Sequence, residues 1–305
     1  MRRVKTCMVM LTLAAVSGGC GGKAVTNRTV VTQAQKLVAK DATREELLNS
    51  YNQIARDTKT LNTTVELKPT AGSKYSGVID EYHEVKAFLL AARPAEIRVI
   101  GQAPVIGTTV FDMACDGNTF RVSIPSKKKF LVGAVAIERA SSKPIENLRP
   151  QHLLDALLWP EIRKEEAVIL KEFNDENARY YVLTVLRGGY QVEVLREIWF
   201  DRADLQVARI QNFGPKGLLL SDTHLADWQP VDNAAAPNSA AAPSNAALSF
   251  PRTIRIDRPH DDYKLDLKIT KVSLNETIPA ERFNLEQPAG SELVKVGEAA
   301  ETKQP

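Results

Sequence analysis

The sequence predicts a mainly β member of the α+β class: a curled antiparallel sheet, an unclosed half-barrel of about eleven strands, with two covering helices. Apolar residues recur with period two, between turn residues, over 60–132 and again over 167–225. Helical spacing is confined to two stretches, near 44–58 and 150–160. A sheet of that many strands accumulates twist, so it curls, and its concave side must be covered by something apolar.

The elements follow in chain order. Arg2, Arg3 and Lys5 precede an apolar run over 8–16, and Val16-Ser17-Gly18-Gly19-Cys20 places small residues before a cysteine. This reads as a lipoprotein export signal over 1–19, with Cys20 the lipid anchor, because the apolar run falls short of the roughly 20 residues a span needs. A secretory signal cut elsewhere is the alternative, Ser17 standing where Leu is commoner. Gly21 rather than Asp after the cysteine points to the outer membrane. Residues 20–43 form a polar tether. Thr43 and Glu46 make a capping box ahead of Leu47, Leu48, Tyr51, Ile54 and Ala55, which share one side of a helix over 44–58.

Strand patterns begin at Val65 and Leu67, continue through a long stretch over 77–90, then Ile97 and Val99, then 108–114. Asp116-Gly117 is a hairpin signal before Phe120, Val122 and Ile124, and Ser126-Lys127-Lys128-Lys129 turns into 130–132. Pro150 suits a first helical turn, Leu153, Leu154, Leu157 and Leu158 form an apolar stripe, and Pro160 stops the helix. Strands resume over 167–172, 180–186, 194–200, 207–213 and 218–225. Residues 231–249, rich in Ala, Asn, Pro and Ser, form a low-complexity insertion. Leu265, Leu267 and Ile269 alternate with Lys264, Asp266 and Lys268 to close the sheet. The binding domain spans 44–288, and 289–305 is a flexible tail.

Composition narrows the function. The chain has 305 residues, 44% apolar, enough to bury a sizeable core. Its formal charge of +3 is that of the three basic residues in the signal, so the rest is near neutral, which argues against nucleic acid as partner. Of three cysteines, Cys7 leaves with the signal and Cys20 takes lipid, so Cys115 has no disulfide partner and reads as a buried, inert thiol. Histidines 83, 152, 224 and 260 are scattered, without zinc spacing, and no nucleophile elbow occurs. His260-Asp261-Asp262 combines an imidazole with two carboxylates but sits after Arg258-Pro259, which suits a solvated turn. Glu81, His83 and Glu84 fall in a predicted strand, where alternation separates His83 from Glu84. The Lys127–Lys129 run either touches anionic headgroups or is a solvated hairpin tip. No metal site, no cofactor and no catalysis are expected.

Three stretches carry a resemblance. Pro104-Val105-Ile106-Gly107-Thr108-Thr109 resembles a protruding Pro-Leu-Gly-Ser-Thr turn, 144–159 is similar to a mid-chain helix, and Ile278-Pro279-Ala280-Glu281-Arg282-Phe283 resembles a closing segment. Their order resembles the lipoprotein-carrier family of the Gram-negative envelope, comprising a periplasmic carrier, its outer-membrane receptor and related lipoprotein-sorting proteins. The resemblance implies a half-barrel over 44–288 whose cavity takes acyl chains of lipoproteins or lipid. It also implies membrane attachment through the N-terminal lipid and a periplasmic carrier protein as partner. It makes Val105 and Ile106 the membrane-facing tip and Leu153, Leu154, Leu157 and Leu158 a lid or cavity wall. The turn has one residue more than the family pattern, so either Val105 or Ile106 could hold the tip position. On the residues alone, Val105 and Ile106 could equally tuck inward as core. A sensor or scaffold gripping a protein partner with the same half-barrel is the alternative function.

Overall fold

Alternation and turn chemistry produce one long sheet. The structure, a computed structural model, describes residues 38–73, 77–136, 147–175, 177–189, 191–231 and 248–296. The signal, Cys20, most of the tether and nearly all of the 231–249 insertion lie outside the described residues. Helix α1 (Arg44–Asp57) precedes β1 (Thr60–Ser73), β2 (Val78–Glu81), β3 (Val85–Ala92), β4 (Glu96–Gln102), β5 (Thr109–Cys115), β6 (Thr119–Ile124) and β7 (Lys129–Ala134). Helix α2 (Pro150–Leu157) follows, then β8 (Glu166–Asn174), β9 (Arg179–Arg187), β10 (Glu193–Asp201), β11 (Val207–Phe213), β12 (Leu219–Pro230), β13 (Ser249–Arg258), β14 (Tyr263–Leu274) and β15 (Glu292–Val296).

The sheet order is β15-β7-β6-β5-β4-β3-β1-β14-β13-β12-β11-β10-β9-β8, with β2 beside β1. The path does not close on itself, so the sheet is an unclosed half-barrel, mainly antiparallel. Its halves are joined where β1 meets β14, from Leu61 opposite Leu274 to Ala71 opposite Tyr263, with an irregularity at Thr64/Val65. The burial of β4 alternates strictly, Ile97, Val99 and Gly101 inward. On β14, Tyr263, Leu265, Leu267 and Ile269 do the same.

Among the described residues fifteen strands replace the expected count of about eleven, for local reasons. The stretch over 77–90 is two strands, both pairing with β1, broken at 82–84. His83 and Glu84 therefore sit in an exposed link, not in a strand. Strand β13 was hidden beside the low-complexity insertion. The predicted tail contributes β15, which runs parallel to β7 with Glu292 opposite Lys129. A short parallel pairing carries no sequence signal of its own.

Both helices lie on the concave side. Thr43 caps α1 in a complete capping box: its hydroxyl accepts from the Glu46 amide and the Glu46 carboxylate accepts from the Thr43 amide. Leu47, Tyr51 and Ala55 face the core at helical spacing. The end of the predicted tether is tied down, since Arg202 donates to the Asp41 carboxylate at 2.7 Å and to the Lys40 carbonyl. Helix α2 starts at Pro150, whose missing N–H costs nothing there, and ends as Leu158 donates to the Leu154 carbonyl. Among the described residues no helix is long and apolar enough to cross a membrane.

Candidate functional site

The concave face is covered by α2 and the chain that follows it. Leu153 and Leu157 are 1% and 2% exposed, and Leu154, Leu158, Trp159 and Ile162 are also buried. They join one continuous core with Ile97, Val99, Met113 and Cys115 of the sheet and Leu47 and Tyr51 of α1. The hydrophobic hollow expected between sheet and helices is thus filled by side chains in the described residues. The predicted wall residues are in place, but they occupy the space they were expected to line. Two concavities open elsewhere. One, of about 420 Å³, is lined mainly by polar residues including Asn62, Thr64, Arg252 and Ser273. The other, of about 280 Å³, lies against Lys128, Lys129, Ile124 and Pro288. Neither is lined by α2.

The segment after α2 is pinned firmly. Asn52 brackets Ile162, its side-chain nitrogen donating to the Ile162 carbonyl at 3.1 Å and its oxygen accepting from the Ile162 amide at 2.8 Å. The Tyr51 hydroxyl donates to the Pro160 carbonyl at 3.0 Å, and its ring stacks on Trp159 at 5.8 Å between centroids. Arg93 donates to the Trp159 carbonyl. Arg196, buried, donates to the Pro160 carbonyl and pairs with Glu166 at 3.2 Å.

Helix α2 itself is seated through side chains. Gln151 reaches the Cys115 sulfur, the His152 ring meets the Tyr263 hydroxyl, and Asn147 donates to the Asp261 carbonyl at 3.3 Å. Burial dominates the electrostatics here. It pushes the Cys115 thiol up and holds His152 well below its usual range, with Arg258 and Arg149 adding to the latter. It also raises the Tyr263 hydroxyl. Gln151 Oε1 and Trp159 Nε1 are buried without a hydrogen-bond partner, each costing about 1–3 kcal/mol.

The turn between β4 and β5 resolves the ambiguity over Val105 and Ile106: they point outward, 94% and 74% exposed. Gly107 permits this by adopting φ +67°, while its amide donates to the Ala103 carbonyl and the Ala103 amide to the Thr108 carbonyl. Strand β5 pairs with β6 only from Asp112 onward. Thr109–Phe111 therefore carry the hairpin past that pairing, about 10 Å at roughly 3.3 Å per residue. Lys127, Lys128 and Lys129 are exposed at the neighbouring β6–β7 turn.

Other sequence-level candidates resolve simply. Asp261 pairs with Arg258 at 2.7 Å inside the β13–β14 turn. Among the described residues no group of three or more His, Cys, Asp or Glu side chains gathers as metal ligands would. Ile278 and Phe283 of the closing segment pack on Leu90 and Ala92 in a small second cluster, and Arg98 holds the carbonyls of Arg282 and Asn284. Arg196 and Glu166, which anchor the chain after α2, were missed by sequence reasoning, and Tyr51 was read only as part of the apolar face of α1. Over a hundred positions separate Tyr51 from Pro160, and no local spacing signals such a contact.

No protein-family model matches this chain and no curated protein sequence matches it. Solved structures similar to it include a LolA superfamily protein from Nitrosomonas europaea, at 12% identity and TM-score 0.46, covering 80% of this chain and 99% of that one. A DUF1329 family protein from Desulfovibrio piger aligns at 12% identity and TM-score 0.48, over 78% and 94% of the two chains. A domain described as outer membrane lipoprotein-sorting from Vibrio parahaemolyticus aligns at 11% identity and TM-score 0.45, over 79% and 97%.

Proposed function

We propose that this protein is a non-catalytic, lipid-anchored envelope protein that takes acyl chains of lipoproteins or lipids against its concave face and passes them to the outer membrane. The observation that carries the reading is the Val105–Ile106 tip: two large aliphatic side chains held in water on a projecting hairpin, a costly display unless something apolar meets them. The lipoprotein signal at Cys20 supplies the tether.

A filled interior requires that α2 move. An eight-residue helix has little stability of its own, so its place depends on the packing and polar contacts of its side chains. That seat is imperfect, since it leaves Gln151 Oε1 without a partner. The chain after α2 stays fixed from Trp159 onward, on α1 through Asn52 and Tyr51 and on the β3–β4 turn through Arg93, which puts the pivot at Leu158, where the helix ends. Swinging α2 away exposes Ile97, Val99, Met113 and Cys115, and an acyl chain replaces the leucine stripe with comparable apolar contact. Release needs no nucleotide: a site that holds the chain less well than a bilayer gives it up downhill.

The test is to isolate the mature chain, residue 20 onward with Cys20→Ser, from envelope extracts and analyse it by mass spectrometry for co-eluting acyl lipid. Bound lipid, or uptake of added palmitate, is the expected result. A protein that is empty and indifferent to palmitate overturns the reading. The filled core specifically favours a second reading, a scaffold whose half-barrel grips a protein. Val105→Glu with Ile106→Glu separates the two: impaired lipoprotein insertion supports the carrier, whereas intact insertion with loss of a protein complex supports the scaffold.

A further inference from the structure

The β6–β7 turn stands beside the apolar tip and is its charged counterpart. Strands β4, β5, β6 and β7 are consecutive neighbours, so the 103–108 and 125–128 turns leave the same end of the sheet. Their hairpins are centred two strands apart, about 10 Å at roughly 4.8 Å per strand. A short 3-10 turn over Pro125–Lys127, closed by Lys128 in the left-handed region at φ 50°, presents Lys127, Lys128 and Lys129 in succession. All three are exposed, and none makes an ion pair within the described residues. Glu292 stands opposite Lys129 in the β15–β7 register but does not bond to it. Three unpaired ammonium groups next to Val105, Ile106 and the exposed Val110 form a surface with charge on one side and aliphatic carbon on the other.

We propose that this end of the sheet docks on a bilayer bearing anionic headgroups, with Lys127, Lys128 and Lys129 taking headgroup phosphates while Val105 and Ile106 enter the hydrocarbon boundary. An anionic bilayer presents phosphates at its surface and hydrocarbon beneath them, the same order in which the shorter lysine turn and the farther-projecting Val105–Ile106 hairpin meet it. The proposal deepens the reading of the tip given above and names the surface it meets.

The experiment uses the mature chain, residue 20 onward with Cys20→Ser, so that neither the apolar leader nor an acyl anchor obscures binding, and co-sedimentation with vesicles. Phosphatidylcholine vesicles are compared with vesicles containing one third phosphatidylglycerol, at low and high salt. Binding is expected to favour the anionic vesicles and to weaken with salt. Lys127→Gln, Lys128→Asn and Lys129→Gln together are expected to lower binding on the order of a hundred-fold, roughly five-fold per lysine. Asn at 128 suits the positive φ. Val105→Ser with Ile106→Ser is expected to lower binding to both vesicle types alike. Circular dichroism confirms that each variant folds. Equal binding to neutral and anionic vesicles, or an unchanged triple variant, overturns the proposal. Palmitate uptake by the same preparations keeps the two readings apart: intact uptake with charge-blind vesicle binding sinks only the docking surface, and charge-dependent docking without uptake sinks only the carrier.

Discussion

Replacing Leu153 by alanine distinguishes a displaceable wall from an integral part of the core. Leu153 is 1% exposed and packs in the main cluster between α2 and the sheet. Truncating such a leucine costs about 3 kcal/mol, within the 2–5 kcal/mol span seen for buried Leu→Ala changes. If α2 can leave its seat while the sheet stays folded, the loss falls on that local opening. Hydrogen exchange of α2 amides should then accelerate on the order of 10²-fold through opening, while amides of β1 and β14 keep their protection. The same shift makes the open state commoner, so palmitate should bind tighter to Leu153→Ala than to the parent chain, by up to a similar factor. The assay is exchange read by mass spectrometry, paired with a palmitate titration. Equal acceleration in α2 and in β1/β14 would refute the reasoning, because it would mean that α2 opens only when the whole domain unfolds.

Three further outcomes follow from the same contacts. Cys115 should resist maleimide in a chain whose Cys7 and Cys20 are replaced by serine, burial having raised its thiol and Gln151 covering its sulfur; Leu153→Ala should raise its labelling rate in step with α2 exchange. Arg196→Met leaves the largely buried Glu166 without its cation and the Pro160 carbonyl with Tyr51 as donor, which should cost about 3 kcal/mol and lower Tm by roughly 10 °C in a scanning calorimeter. At Asp222, burial works to raise the carboxyl, but hydrogen bonds from Arg209 and His224 outweigh it and hold it at about 2. A depressed carboxyl stabilises the fold above its unfolded value of 3.8 and loses that contribution as pH falls toward 2. Urea titrations should therefore show Asp222→Asn about 2 kcal/mol less stable than the parent at pH 6, with the gap closing between pH 4 and pH 2.

Much of the fold was legible because its signals are local. The capping box at Thr43 and Glu46, Pro150 at a helix start and Asp116-Gly117 at a hairpin all act over a few residues, and each appears where its chemistry put it. What escaped depended on distant partners. Strand β13 hides its period because Pro251 and Arg252 interrupt it, and the structure accommodates them at a gap in the ladder where Asp227 takes φ 57°, the register being the same on either side. Strand β15 exists only because β7 offers it an edge. The break at 82–84 lies where the Tyr82 amide turns to the Pro69 carbonyl. In the candidate site, the leucine stripe identified which residues face the sheet. Apolar periodicity is the same for a side chain that lines a hollow and one that fills it, so occupancy could not be read from spacing. The outward direction of Val105 and Ile106 was likewise open until Gly107 and the long hairpin were seen.

The most direct test of acyl-chain handling is to photolyse a photoreactive palmitate probe bound to the Cys20→Ser chain and map the adducts by peptide sequencing. Adducts on Leu153, Leu154, Leu157 or Leu158 together with Ile97, Val99 or Met113 are the expected result, placing the chain between α2 and the sheet. Labelling confined to the outer surface, or none at saturating probe, would contradict it.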